Sequence, residues 1–330
     1  MDITTLTKLA IPILIIIVYT VNLIKGMQQP KLNNGIIISL LLLNMAIILS
    51  MFFINTTNLI MISIILTSLI SSLLLLNKNI FELAVKILKM DLQWDDIVHR
   101  TVFPMSLYIF INPIIYFTMN GNLAIFLNGA LDAIFNLINI LGFQLLLFIF
   151  AFMGIGFGTR RSLKQCINRL GVGAPKILYI IFGLVGIFII NFLVWELPIY
   201  LTDLMSSQIK NTVVNALINQ SSNVESAVQA MKEAIPSLYE VIIMVIVVGV
   251  SEELLFRGAL QPRFGNLYTS LLFSVLHFQY LSILAFVNVF LISYLFGIIK
   301  NRTNTSTTIL IHMIYDFIAF GGLYLLYNII

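Results

Sequence analysis

Tyr239–Gly258 reads YEVIIMVIVVGVSEELLFRG. Its long apolar run suits a helix in lipid, where every backbone polar group must be satisfied within the segment. The run then meets Glu252, Glu253 and Arg257, charges that cost roughly 2.5–3.5 kcal/mol each in the middle of a membrane helix and so call for a reason. The rest of the chain has the same character. Of its 330 residues 60% are hydrophobic and 10% charged, against about 45–50% and about 25% in a soluble domain. That balance excludes a water-soluble enzyme, a disordered chain and a nucleic-acid binder. The one cysteine, Cys166, cannot form an internal disulfide. Continuous apolar runs also argue against a barrel, whose strands alternate. The fold class is all-α, a polytopic helical membrane protein.

About 20 mostly apolar residues cross a bilayer as a helix. By that measure the sequence predicts ten transmembrane segments: Leu9–Ile24, Ile36–Ile54, Leu59–Leu76, Val102–Met119, Ala133–Ile155, Ile177–Leu197, Tyr239–Phe256, Leu267–Gln279, Leu281–Ile299 and Thr308–Ile330. The eighth is short and reads as tilted or half-buried. The first lacks a basic leader and a small-residue cleavage site, so it reads as an anchor. With the 25–35 loop inside, only Lys8, Lys210 and Lys232 of the eighteen basic residues fall outside. This positive-inside bias predicts a multi-pass chain with both termini outside.

Three stretches are not spans. Ile80–Arg100 is amphipathic and is expected along the inner interface. Thr159–Lys176 is strongly basic; its charge fixes topology, and binding of an anionic lipid or a substrate tail is the other reading. Thr202–Ser237 has apolar residues at helical spacing and few charges, and reads as an outer helical cap. Gly154, Gly156 and Gly158 suggest close packing or a helix stop before the basic loop. Asn112-Pro113 suggests a kink, and Asn136, Asn139 and Gln144 suggest hydrogen bonds between helices.

The ionisable groups left inside apolar segments are Glu252, Glu253, Asp316, His277 and His312. At 1.5 Å per residue, Glu252, His277, His312 and Asp316 lie roughly 7, 15, 6 and 12 Å below the inner boundary, within one layer. Glu253 and Arg257 are spaced i,i+4, the favourable order for a helix ion pair. Glu252 is rotated about 100° away and lacks that partner, which suits a free carboxylate acting as a base. His312 and Asp316 share a face at i,i+4, as do Phe273 and His277.

These residues resemble the motifs of the CAAX-protease and bacteriocin-processing family of intramembrane proteases, also called CPBP or Abi. Glu252-Glu253-Leu254-Leu255-Phe256-Arg257 is similar to its E-E-x-x-x-R motif, Phe273–His277 to F-x-x-x-H, and His312–Asp316 to H-x-x-x-[N/D]. The resemblance covers roughly 235–325, extends back to about 140, and is absent from the first 130 residues. It implies a protease domain over 133–330 and an N-terminal transmembrane region, 1–132, of unassigned role.

The family implies a peptidase that hydrolyses a peptide bond inside the membrane. Glu252 and His277 would activate water, with Glu253 and Arg257 as supporting catalytic residues. His277, His312 and Asp316 would bind a divalent metal, zinc, or else His312 and Asp316 would stabilise the oxyanion without metal. Asp316 replaces the asparagine of the eukaryotic prenyl-protein branch and leans toward metal, since an ionised carboxylate only accepts hydrogen bonds. No H-E-x-x-H motif is present. The expected partners are the lipid bilayer and a membrane-associated peptide or protein substrate. The active site is expected toward the cytoplasmic side, and the abundance of Ile, Asn and Lys suggests a bacterial cell membrane. Two other readings stay open: a non-catalytic scaffold or bacteriocin-immunity protein on the same fold, and a proton-coupled transporter, which would call for an inverted repeat that the sequence does not display.

Overall fold

The computed structural model describes residues 3–53, 58–111, 114, 137–235, 237–277, 280 and 282–321. Among these the chain is helical throughout, with no strand. The first five helices are α1 (Ile3–Met27), α2 (Pro30–Met51), α3 (Asn58–Leu76), α4 (Lys78–Ile87) and α5 (Ile97–Ser106). Then come α6 (Leu137–Gly154), α7 (Leu163–Arg169), α8 (Ile177–Asn191), α9 (Leu197–Leu201) and the long polar helix α10 (Ser207–Ala234). The chain continues through α11 (Leu238–Glu253), α12 (Gln261–Val275), α13 (Ile283–Arg302) and α14 (Thr305–Asp316). Three wider π-turns interrupt this order, at Phe192–Glu196, Leu254–Leu260 and Phe317–Gly321.

Local chemistry accounts for the starts of several helices. Asn77, Asp96, Ser282 and Asn304 each accept a hydrogen bond from a first-turn N–H of the helix they precede, satisfying one of the orphan donors there. Ser237 and Glu240 form a reciprocal capping box on α11. α6 ends at Gly154, and Gly156 and Gly158 follow with φ of 91° and 72°, so the glycines act as a stop before the basic loop.

Among the described residues, five helical stretches are long and apolar enough to cross a membrane: Lys31–Met51, Asn58–Leu76, Leu137–Gly154, Ile177–Leu204 and Ile283–Arg302. Ile15–Met27 and Ile97–Ile111 are shorter apolar helices. Ten spans were expected from composition. α11, α12 and α14, which overlap three of the other expected spans, contain 16, 15 and 12 residues, and the run from α11 into α12 carries Glu252, Glu253 and Arg257. Ile80–Arg100 is also not one element, since α4 stops at Ile87 and α5 begins at Ile97. Asn112, Pro113 and Asn136 lie outside the described residues, as do the far ends of the fourth and tenth stretches.

The largest buried cluster includes Phe81, Phe103, Leu147, Ala151, Leu170, Leu255, Phe264 and Leu272. It ties α4–α6 to the segment between α11 and α12. Phe182, Val185, Phe188 and Ile189 of α8 instead stay exposed, as suits a face turned to lipid. α11 packs on α6 and α14, and α12 on α13. Gly258 permits one close approach: a Cβ there would meet the Leu170 carbonyl oxygen at 2.9 Å. Gly265, at φ 71°, permits another beside the Lys89 carbonyl.

Candidate active site

The last turn of α11 carries Glu252 and Glu253 into the protein, where they are 7% and 0% exposed. The two acids have different surroundings. Glu253 faces Arg257, with Nε 3.3 Å from Oε2; this is an ion pair and not an aligned hydrogen bond, because neither atom has a hydrogen-bond partner. Arg257 is fully buried and donates from Nη2 to Ser293 Oγ at 2.9 Å. Its guanidinium lies 5.2 Å from the Phe273 ring centre and 5.9 Å from that of Phe296, within cation–π range. These contacts compensate a charge that would be prohibitive alone.

The other oxygen of Glu253, Oε1, lies 3.1 Å from His312 Nδ1. His312 Nε2 lies 3.4 Å from Asp316 Oδ2. The imidazole therefore bridges two carboxylates. Since an ionised carboxylate only accepts, both contacts are donations only when both ring nitrogens carry protons. Arg257, Glu253, His312 and Asp316 thus form one connected polar chain, of which the i,i+4 contacts follow from helix spacing. The bridge between Glu253 and His312 joins α11 to α14.

Glu252 stands outside this chain. Its Oε1 accepts from Gln144 Nε2 at 2.9 Å, and the Gln144 carbonyl in turn accepts from Ser251 Oγ. Its Oε2 is buried and finds no hydrogen-bond partner among the described residues. The expected hydrogen bonding of Gln144 between helices is thus realised at the acid itself. Tyr280, which the motifs do not include, lies within electrostatic range of Glu252, Tyr315 and Asp316.

His277 is half-buried after the end of α12. Its Nδ1 donates to the Phe273 carbonyl, 2.8 Å away, which leaves Nε2 as the basic nitrogen of the neutral ring. The imidazole packs on Phe273 with centres 4.5 Å apart, and the same phenyl ring lies 6.3 Å from His312. Phe273 is thus the shared wall between the two histidines. The described residues contain no group of three or more His, Cys, Asp or Glu placed to hold a metal ion. Among the three expected ligands, His312 and Asp316 meet each other, while His277 packs on the other side of the shared Phe273 ring.

Against this geometry, comparison with known proteins is informative. The family described as "Type II CAAX prenyl endopeptidase Rce1-like" matches residues 234–318. Residues 234–318 of this chain are thus similar to an Rce1-like domain. That domain begins just before the Ser237 cap of α11 and ends just after Asp316, so it holds Glu252, Glu253, Arg257, His277, His312 and Asp316 together. Gln144 lies outside it. The "Uncharacterized protein YpbD" of Bacillus subtilis (strain 168) is 39% identical over 82 residues, covering 24% of this chain and 43% of that relative. This chain therefore spans less than half of that relative's length. No solved structure matches.

Proposed function

We propose that the chain is an intramembrane endopeptidase whose water is activated by Glu252 with help from His277. The observation that carries this reading is the asymmetry of Glu252: Gln144 holds one oxygen, and the other is buried without a hydrogen-bond partner among the described residues. A buried acceptor left open calls for a ligand or water, and the Rce1-like match supports a peptidase. Water bound between Glu252 Oε2 and the scissile carbonyl gives its proton to the carboxylate as its oxygen attacks the carbonyl carbon. The carbonyl electrons move onto oxygen. Glu252 then returns the proton to the leaving nitrogen as the C–N bond breaks. His277 Nε2 orients the water, while protonated His312, held by Glu253 and Asp316, offers positive charge to the oxyanion.

The substrate class in this reading is a membrane-associated peptide or protein. The ten-span topology, cytoplasmic-side site, outer termini and bacterial membrane complete it, with residues 133–330 as the protease domain and 1–132 as an accessory transmembrane region. Comparing the membrane proteomes of wild-type and Glu252→Ala cells tests it. A precursor should accumulate in the variant; an unchanged proteome at normal protein level would instead favour a scaffold or immunity role. Zinc is the metal to assay: stoichiometric zinc lost in His312→Ala supports a metal-held site, and full activity in chelator removes it.

A further inference from the structure

On the side of the Leu254–Leu260 turn away from Glu253 and Arg257 lies a cavity of about 110 Å³. Leu255 and Ala259, one helical turn apart, line it, while Glu253 and Arg257 face the polar chain described above. Its polar wall comes from distant parts of the sequence: Lys25 at the end of α1, Arg160, Arg161 and Arg169 around the loop after α6, and Arg263 in α12. Asp96 is the one carboxylate among the lining residues, and it pairs with Lys25. Arg263 pairs with Asp91 at the rim.

The other three cations have no carboxylate partner among the described residues. Arg160 donates to the Asn22 side chain, Arg161 to the Ile155 carbonyl, and Arg169 to the Gly258 carbonyl at 3.0 Å. Arg160 Nε is sealed from solvent with no hydrogen-bond partner among the described residues. Burial first, and then Arg161, lowers the Arg160 guanidinium from its ordinary value; burial, Arg263 and Arg161 do the same to Arg169. The cations therefore crowd one another, and Asp96, which favours the Arg160 charge, is the one carboxylate in the lining to offset five basic side chains. Such crowding is unfavourable unless something negative enters.

We infer that this cavity binds a phosphate-bearing anion. The planar donors of arginine match the tetrahedral oxygens of phosphate better than they match chloride. The depth suits a lipid headgroup as a source, since Lys25 and Arg160 sit at the ends of the long apolar helices α1 and α6. Free phosphate has the same chemistry.

The test measures thermal unfolding of the purified full chain. One arm adds inorganic phosphate in place of chloride at fixed ionic strength. The other compares nanodiscs of phosphatidylcholine with and without phosphatidylglycerol. A rise in midpoint with inorganic phosphate identifies a free anion, and a rise with phosphatidylglycerol alone identifies a headgroup. Arg160→Gln should weaken the response about tenfold in ligand concentration, the worth of one charged hydrogen bond. Arg263→Gln, at the exposed rim, keeps the test available if Arg160→Gln does not fold, and should weaken it several-fold. No rise in either arm, or an equal rise in a folded Arg160→Gln or Arg263→Gln protein, overturns the inference.

Discussion

The two sides of the Leu254–Leu260 turn solve the problem of buried charge in opposite ways. On one side Glu253, Arg257, His312 and Asp316 neutralise one another. On the other Arg160, Arg161 and Arg169 spend their donors on neutral oxygens. The charge-balanced side holds its geometry without a ligand, which is what a pre-organised site needs, although Glu253 Oε2 and Arg257 Nε and Nη1 have no hydrogen-bond partner among the described residues. The unsatisfied side keeps charge in reserve for something that arrives from outside. Glu252 belongs with the second type although it sits beside the first, because one of its oxygens is still open.

The strongest way to break this contrast is at Glu252. Glu252→Gln should lower the proposed peptide hydrolysis by about 10²–10⁴-fold, the usual worth of a general base, with little loss of stability. Turnover of an accumulated precursor, read beside an unfolding curve, checks both halves. Glu253→Ala should do the reverse, costing about 3–5 kcal/mol by leaving Arg257 buried without its counter-charge. An unfolding midpoint equal to wild type would show that the pair does not hold this side together. Gln144→Leu should reduce turnover by roughly tenfold through loss of one hydrogen bond to a charged group. Gln144→Glu, which places a second acid beside the first, should shift the pH–rate profile, a change that a merely structural role would not produce.

The smallest expected effect lies on the basic side. Burial pushes the Asp96 carboxyl up, but the Lys25 hydrogen bond, the His99 and Lys25 charges and the Val98 N–H together hold it below the ordinary carboxylate value. A lowered value in the folded state adds stability above the unfolded pKa and loses it as pH falls through the folded one. The stability gap between wild type and Asp96→Asn should therefore be full near about pH 6 and shrink below about pH 4. A gap that does not change with pH would remove the carboxylate's charge from the account.

Much of the site is legible in the sequence because helix spacing is a strong constraint. Glu253 with Arg257, His312 with Asp316, and Phe273 with His277 all make the i,i+4 contacts that a helix imposes. What escapes is whatever depends on packing. The Glu253–His312 contact crosses 59 positions and the Gln144–Glu252 contact crosses 108, and no local pattern specifies either. The basic cavity joins Lys25 to Arg160 for the same reason: the residues read as topology markers converge only when α1 lies against α6. The fold was legible as helices, but composition registers an apolar run and is blind to a π-turn within it, such as Phe192–Glu196 inside Ile177–Leu204.

Those π-turns bear on how such a chain can change length. A wide turn holds more residues than the α-helix around it needs, so it is a place where a single residue can be gained or lost while the helix continues. The three here begin just after Asn191, Glu253 and Asp316. Deleting one residue from Leu254–Leu260 would let an ordinary helix form with the downstream helix nearly where it was, but a deletion between Glu253 and Arg257 would change the spacing of that pair from i,i+4 to i,i+3. Length variation at this point is therefore cheap for the backbone and ruinous for the register between the acid motif and Arg257. Any chain that keeps both is expected to keep the intervening residue count as strictly as it keeps the residues themselves.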